Sequence, residues 1–281
     1  MSIQWYPGHM AKARRMIEED VKLCDLVIEI IDARIPESSR NPDIEAIAAG
    51  RARMILLNKA DMADERQNRL WLDEFEGMGI SSLLINSKTG EGTGRVSDAA
   101  RTACAGVLKK YESKGVTGRP IRAIVCGIPN VGKSTFINAY TKGAHTKTGN
   151  RPGVTKGRQW VRISKTIELL DTPGILWPKL DDERTGINLA VTGSINDDIL
   201  NEDELSISLV NAIASMYPGR IHERYGVDES ADAVNVVNEI ALRRGALKKG
   251  GEPDFSRAAR LILNDFRSGR LGRITLEKCD G

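Results

Sequence analysis

The chain has 281 residues, 41% of them hydrophobic, and a formal net charge of +3 at pH 7. This length provides for one sizeable core and a smaller companion domain. The mild positive charge permits a nucleic-acid partner without requiring one, so charge alone does not define a function class.

The four cysteines form no C-x-x-C pair and have no zinc-type spacing with histidine. This pattern favours buried, reduced thiols in a cytosolic protein. No apolar run reaches the roughly 18–20 residues of a membrane-spanning helix. The N-terminal residues lack a signal-peptide core and transit-peptide character. We therefore predict a cytoplasmic protein with no membrane partner.

Short apolar runs alternate with helix-like stretches in the first half of the chain. An amphipathic helix is predicted over Met10–Cys24, and three buried strands follow it, each ending in a polar cluster. The strands are Leu26–Ile31, Arg53–Leu57 and Ser82–Ile85. This rhythm is typical of βαβ units and predicts an α/β fold with a mostly parallel sheet and flanking helices. Ser113–Pro120 is Gly-rich and polar, as expected of a linker.

The second half begins with another strand and becomes helical towards its end. Ile121–Cys126 is apolar, and a helix is predicted over Lys133–Tyr140. Gln159–Ile163 and Thr166–Leu170 form a predicted hairpin that turns at residues 164–165. From residue 182 the pattern is helical. We predict an α/β domain over residues 1–180 and an all-helical domain over residues 181–281.

The segment from Gly127 to Ser134 reads G-I-P-N-V-G-K-S and matches the phosphate-binding loop G-x-x-x-x-G-K-[ST]. Its amides would cradle phosphates at a helix N-terminus, where the helix dipole favours negative charge. Lys133 would reach the β- and γ-phosphates, and the Ser134 hydroxyl would bind Mg²⁺. A strand before the loop and a helix after it argue against a chance Gly-rich turn. The predicted nucleotide contacts here are Asn130, Val131, Gly132, Lys133, Ser134 and Thr135.

A second phosphate-side motif, Asp171-Thr172-Pro173-Gly174, ends the later strand of the hairpin. The Asp171 carboxylate is predicted to hold the Mg²⁺ shell and the Gly174 amide to meet the γ-phosphate. Thr155 is the candidate for a threonine that closes on Mg²⁺ when GTP is bound. A solvated loop threonine is the alternative, since Thr146 and Thr148 lie nearby.

The tetrapeptide Asn58-Lys59-Ala60-Asp61 predicts which base is bound. The Asp61 carboxylate can accept hydrogen bonds from N1–H and the 2-amino group of guanine, whereas adenine offers an acceptor at N1 and lacks the amino group. An amide of Asn86-Ser87-Lys88, after the next strand, would reach the guanine O6. In ordinary GTPases the base-reading motif follows the phosphate loop. Here it precedes the loop, which indicates a circularly permuted GTPase.

The group that activates water is not apparent from the motifs. Ile175 follows Gly174, where many GTPases place a glutamine that orients the attacking water. His9 is the leading candidate for the missing group, with His145 and His222 as rivals. Asn130 has two interpretations. Its amide oxygen could bind a monovalent cation that replaces an arginine finger, or its side chain could hold the loop's own backbone.

Taken together, W-Y-P-G-H-M-A-K-A over residues 5–13, D-A-R-I-P over residues 32–36 and the permuted motif order resemble the YlqF/YawG family of circularly permuted ribosome biogenesis GTPases. The resemblance implies GTP hydrolysis in late assembly of the large ribosomal subunit, stimulated by that particle. It also implies a potassium-dependent mechanism with an aliphatic residue in place of glutamine, which fits Ile175 and Asn130, and a catalytic role for His9.

The same resemblance implies that the helical C-terminal region binds RNA. The candidate phosphate contacts are Arg243, Arg244, Lys248 and Lys249. Glu239 and Glu252 flank them, so a solvated helix face is the alternative.

Two other functions remain open at this point. The chain could be a GTP-gated binding module whose turnover is incidental, or an ATPase acting on RNA, which Asp61 disfavours. Since residue 174 leads directly into the helical region, loss of the γ-phosphate is expected to tilt that region.

Overall fold

The computed structural model describes residues 3–4, 7–141, 160–170, 179–180, 182–195 and 201–279, with side chains from residue 14 onward except at residues 179 and 180. Several predicted site groups lie outside this part: the His9 side chain, Thr155, Asp171 and Gly174. In the described ranges, no helix is both long and apolar enough to cross a bilayer.

Eight strands and eleven α-helices form within these ranges. The strands are β1 (Ile3–Gln4), β2 (Leu26–Asp32), β3 (Ala52–Asn58), β4 (Ser81–Leu84), β5 (Ile121–Cys126), β6 (Trp160–Arg162), β7 (Ile167–Leu170) and β8 (Lys179–Leu180). The helices are α1 (Pro7–Val21), α2 (Asp43–Ile47), α3 (Glu65–Gly77), α4 (Val96–Ala103), α5 (Ala105–Glu112), α6 (Lys133–Tyr140), α7 (Glu183–Val191), α8 (Glu202–Met216), α9 (Arg220–Tyr225), α10 (Ala233–Arg243) and α11 (Phe255–Arg267).

Six strands form the main sheet, in the order β4-β3-β2-β5-β7-β6. Its pairs are parallel except for the antiparallel pair of β6 and β7. The predicted α/β fold and the hairpin are therefore confirmed. Since β3 and β5 both flank β2, the loops that follow these two strands lie at the same edge of the sheet. Ligands of open α/β sheets bind at this edge.

The central strand β2 is buried along its whole length, as expected of a parallel strand covered on both faces. Leu26, Ile28 and Ile30 belong to a cluster that continues into the C-terminal helices. Val27 packs with Ile17 of α1 on the other face. Packing on both faces fixes where β2 ends and therefore where the loop after it begins.

Acid and amide side chains begin five of the described helices. Each accepts a hydrogen bond from an amide in the first turn, which satisfies a donor that the helix cannot pair. These caps are Asp64 for α3, Asp182 for α7, Asn201 for α8, Asp232 for α10 and Asp254 for α11.

Two details differ from the predicted elements. Helix α1 runs from Pro7 to Val21, because a turn closed by the Cys24 amide on the Val21 carbonyl ends it before β2. The second difference is in the predicted helical region. After α11, residues 270–279 are neither helix nor strand, and they return to the loops of the sheet. We call these residues the C-terminal strap. Cys24, Cys104 and Cys126 are buried free thiols, as predicted.

Candidate nucleotide site

The phosphate loop joins β5 to α6, and two of its glycines have no room for a side chain. Gly127 has φ +147°, and a Cβ there would lie 2.4 Å from the Ile30 carbonyl oxygen. Gly132 has φ +101°, and its Cβ would lie 2.2 Å from Asn58 Nδ2. Glycine tolerates both the backbone conformation and the close approach. The motif's two glycines therefore bring the loop against β2 and against the base-reading loop.

The loop presents backbone donors to an anion. Within the described residues, the amides of Asn130, Val131 and Gly132 make no hydrogen bond. They lie at the N-terminal end of α6, whose dipole favours negative charge. Ser134 and Thr135, in its first turn, are exposed. This arrangement can bind the phosphates of a nucleotide.

Lys133 already points along the loop. Its Nζ donates a hydrogen bond to the Ile128 carbonyl 2.7 Å away. Burial lowers the pKa of Lys133 below its ordinary value. A phosphate beside this ammonium would favour the charged form and oppose that effect.

Asn58 connects three loops through one side chain. Its Nδ2 donates to the Val131 carbonyl over 2.6 Å, and its Oδ1 accepts from the Ser87 amide over 2.9 Å. Because the Asn58 side chain is buried, removing it would leave the Val131 carbonyl and the Ser87 amide without partners, and water could not replace these partners. The first residue of the base-reading motif thus ties the base-reading and phosphate loops together.

Lys59 makes a second connection between the same loops. Its Nζ donates to the Asn130 carbonyl over 2.9 Å and to the Asp32 carboxylate over 2.8 Å. Arg34 donates two hydrogen bonds to that carboxylate, from Nε over 2.9 Å and from Nη2 over 2.7 Å. Burial alone would raise the pKa of Asp32, but the Arg34 guanidinium and the Lys59 ammonium together hold it well below its ordinary value. Asp32 stays ionised and fixes Lys59.

Asp61 lies at the open end of this loop with its side chain exposed, where a base can reach it. The next predicted contact, Asn86-Ser87-Lys88, makes hydrogen bonds to the base-reading loop and within its own loop. The Ser87 amide donates to Asn58, and the Lys88 amide donates to Asn86 Oδ1 over 2.9 Å. The predicted amide contact to guanine O6 stays a prediction.

Asn130 contacts a part of the chain that the sequence did not indicate. Its Nδ2 donates to the Gly193 carbonyl, 2.7 Å away, just after the end of α7. A carbonyl oxygen only accepts, so this contact orients the amide and turns Oδ1 away from Gly193. The sequence allows two interpretations of Asn130, a cation ligand and a side chain that holds its own loop, and neither included the contact with Gly193.

Ser134 is the one predicted Mg²⁺ ligand whose side chain the structure describes. Its exposed hydroxyl makes no hydrogen bond to another described residue. One protein oxygen beside phosphate oxygens and waters suits Mg²⁺, which keeps several waters when bound. Elsewhere in the described ranges, no cluster of three metal-binding side chains occurs.

The four predicted RNA contacts differ in their surroundings. Arg243 pairs with Glu239 over 3.1 Å. The Arg244 guanidinium donates to the Arg224 carbonyl and lies over the Tyr225 ring, 5.2 Å from its centroid. Lys248 and Lys249 are exposed in the turn before α11. Sequence reasoning did not predict the buried Asp32–Arg34 pair, although it noted the polar cluster after β2.

Comparison with known proteins places this site among GTPases. A family model described as a 50S ribosome-binding GTPase matches residues 122–237. The match begins in β5 and does not include the base-reading motif, in keeping with the permuted order.

Relatives match almost the whole chain. Ribosome biogenesis GTPase A of Bacillus cereus is 45% identical, with 99% of this chain and 94% of the relative covered. The same protein of Thermotoga maritima is 31% identical over 98% of this chain and 94% of the relative. Mitochondrial ribosome-associated GTPase 1 of Xenopus tropicalis is 30% identical over 97% and 94%.

Solved structures show the same fold. GNP-bound YlqF from T. maritima superposes with a TM-score of 0.66 at 28% identity, covering 95% of this chain and 98% of the other. A GDP-bound YlqF structure gives a TM-score of 0.68 at 27% identity, covering 95% and 100%.

Proposed function

Because the chain belongs to the ribosome biogenesis GTPase A family and is a GTP hydrolase, we propose that it acts in late assembly of the large ribosomal subunit. In this proposal the ribosomal particle stimulates hydrolysis. The contact of Asn58 with the Val131 carbonyl carries the nucleotide part, because it joins a guanine-reading loop to a phosphate loop. The relatives' names and the matching family description support the ribosomal part.

The residues have distinct proposed roles in the reaction. Asp61 selects guanine, and the amides of residues 130–132 with Lys133 neutralise the phosphates. Ser134, Asp171 and Thr155 would hold Mg²⁺, whose charge would offset the negative charge that develops during the reaction. Gly174 meets the γ-phosphate. His9 orients the attacking water, since Ile175 has no group that could do so.

Asn130 is the proposed ligand for K⁺. The bond from its Nδ2 to Gly193 leaves Oδ1, the atom a cation needs, directed elsewhere. An oxygen with a fixed orientation is a suitable ligand for a cation. The charge of that cation would act where an arginine finger acts in other GTPases.

We propose a cytoplasmic location and a division into an α/β domain over residues 1–180 and a helical domain over residues 181–281. The helical domain would bind ribosomal RNA. Lys248 and Lys249 are the more accessible contacts, and Arg243 and Arg244 would first have to leave their present partners.

The test is GTP hydrolysis with and without purified large subunits, at controlled salt, because contacts to RNA weaken as ions are added. We expect stimulation, which for an activator of the GAP kind reaches about 10³–10⁵-fold. A GTP-dependent placeholder would bind the particle and show no stimulation. ATP serves as the base control, and equal use of ATP would favour the RNA-dependent ATPase.

Two variants assign the roles. Lys133→Ala should abolish nucleotide binding or turnover, because it removes the ammonium that the phosphates need. His9→Ala should leave nucleotide binding intact and lower only the stimulated rate. Normal stimulated hydrolysis by His9→Ala would transfer the catalytic role to His145, a ribosomal protein or RNA.

A further inference from the structure

The C-terminal strap lies directly against the loop that reads the base. We propose that the strap positions this loop, and that Arg273 and Thr275 therefore set how tightly the protein holds guanine nucleotides. The inference depends on the nucleotide site alone and not on the ribosomal role.

The contacts follow the base-reading loop residue by residue. Arg273 Nε donates to the Asp61 carbonyl over 3.1 Å, and the Ile274 amide donates to the Met62 carbonyl over 3.0 Å. The Asp64 amide donates to Thr275 Oγ1 over 3.0 Å. Three consecutive strap residues thus bind the backbone from Asp61 to Asp64, directly after the Asp61 side chain.

The strap is itself anchored to the helical region and to the loop after β2. The Tyr217 hydroxyl, at the end of α8, donates to the Thr275 carbonyl over 3.0 Å and accepts from the Thr275 amide over 3.1 Å. The Leu276 amide donates to the Arg34 carbonyl over 2.8 Å. The strap therefore has a fixed position from which it can hold the loop.

The far end of the strap adds a buried carboxylate. Glu277 accepts hydrogen bonds from the Glu37 amide at 2.6 Å, from the amide and hydroxyl of Ser38, and from Asn188 of α7 at 2.9 Å. Burial raises the pKa of Glu277, and these donors oppose that rise. The anchorage thus joins α7, the loop after β2 and the strap at one point.

A second path leads from α11 to the same loop. Arg34 is 1% exposed, and its Nη1 donates to the Phe266 carbonyl over 3.3 Å while the guanidinium lies 5.1 Å from the Phe266 ring centroid. Arg34 holds Asp32, and Asp32 holds Lys59. Both the lysine and the backbone of the base-reading loop are thus positioned by the C-terminal end of the chain.

This arrangement predicts a specific kinetic effect. The strap touches the base-reading loop, so loosening it should weaken GDP and GTP equally. A contact that acted through the γ-phosphate would instead separate the two nucleotides. Most of the loss should appear as faster dissociation, since positioning contacts mainly change the off-rate.

The test is the dissociation of fluorescent GDP and GTP from Arg273→Ala and Thr275→Val in the full-length protein. We expect both nucleotides to dissociate about 5–10-fold faster, which is the effect of losing one well-placed hydrogen bond. Thr275→Ser keeps the hydroxyl and should restore slow release. Arg270→Ala is the matched control: this arginine is 64% exposed, begins the strap and pairs with Asp265. Its release rates should stay unchanged.

A double-mutant cycle with Asp61→Ala identifies the route. If Arg273 acts through Asp61, Arg273→Ala should have little further effect once the Asp61 carboxylate is gone. Two results would overturn the proposal: dissociation rates like those of wild type in both strap variants, or fully additive effects of Arg273→Ala and Asp61→Ala. Arg273 is 51% exposed, so its loss should leave thermal unfolding nearly unchanged and keep the test interpretable.

Discussion

Asn58 Nδ2 lies 2.6 Å from the Val131 carbonyl oxygen, although the two residues are 73 positions apart and their motifs follow in reverse of the usual order. The sheet explains how this is possible. Strands β3 and β5 flank β2, so the loops that follow β3 and β5 lie side by side whichever of these strands comes first in the sequence. The pocket depends on which strands are neighbours and not on how they are connected.

Replacing Asn58 tests whether this junction builds the pocket. Asn58→Ala leaves the Val131 carbonyl and the Ser87 amide without partners in a buried place, which typically costs about 1–3 kcal/mol. We expect GTP affinity to fall at least about 10-fold, measured by titration with a fluorescent analogue. Unchanged affinity would mean that the two loops keep their positions without this side chain.

A methyl group at Gly132 should have a larger effect on the same contact. The Cβ of Gly132→Ala would lie 2.2 Å from Asn58 Nδ2, so the phosphate loop or Asn58 must move. Nucleotide binding should be lost in a titration. Gly250→Ala is the control, since Gly250 has a similar φ of +110° and no atom within 4 Å of the added Cβ. If Gly250→Ala lost nucleotide binding to the same extent, backbone strain and not the clash would be the cause of the loss.

The motifs that could be predicted from the sequence are those whose parts lie close together along the chain. The apolar runs gave β2, β3 and β5, and G-x-x-x-x-G-K-S gave the phosphate loop with its helix. Residues that act through distant partners could not be found in this way. The sequence shows Arg34 only as part of the polar cluster after β2, and it is buried because its partners Asp32 and Phe266 neutralise and cover it.

The C-terminal strap shows the same limit. Its sequence, R-L-G-R-I-T-L-E-K-C over residues 270–279, lacks the periodicity of an amphipathic helix. Its structure comes from hydrogen bonds to residues more than 200 positions earlier, such as those from Trp71 Nε1 of α3 to the Glu277 carbonyl and from the Asp64 amide to Thr275 Oγ1. Such pairs leave no local signal in a single sequence.

The buried pair of Asp32 and Arg34 makes a stability prediction. Asp32→Asn keeps the shape but leaves the Arg34 guanidinium buried without its counter-charge, and breaking such a pair typically costs about 3–5 kcal/mol. Urea unfolding at pH 7 measures this loss. The pKa of Asp32 is depressed in the folded state, so its contribution is present above the ordinary carboxyl pKa and is lost as pH falls below that value.

The acid limb of the stability curve therefore provides the second readout. Stability should fall less steeply in Asp32→Asn than in wild type when the pH drops below about 4, because one carboxylate fewer must be protonated. Parallel acid limbs would show that Asp32 does not titrate differently in the folded and unfolded chains.

Asp61 should determine the base. Asp61→Asn replaces an acceptor with an amide that can donate to the 2-oxo group of xanthine and still accept from N1–H. We expect GTP hydrolysis to fall by about 10² or more and XTP hydrolysis to appear, measured as phosphate release. Lys88→Ala is a useful comparison, because Lys88 is exposed on the neighbouring loop and should not change base preference. Retention of GTP selectivity by Asp61→Asn would assign base reading to another group.

Asn130 joins the proposed cation to the helical region, and two substitutions separate these roles. Asn130→Ala removes both the oxygen for K⁺ and the bond to Gly193, whereas Asn130→Asp keeps an oxygen and loses the donor. We expect wild type to hydrolyse GTP faster in K⁺ than in Na⁺ and Asn130→Ala to lose this difference. A K⁺ preference that survives in Asn130→Asp shows that the oxygen suffices. One that disappears shows that Gly193 must first orient the amide. Equal wild-type rates in the two salts would leave Asn130 only its contact with Gly193.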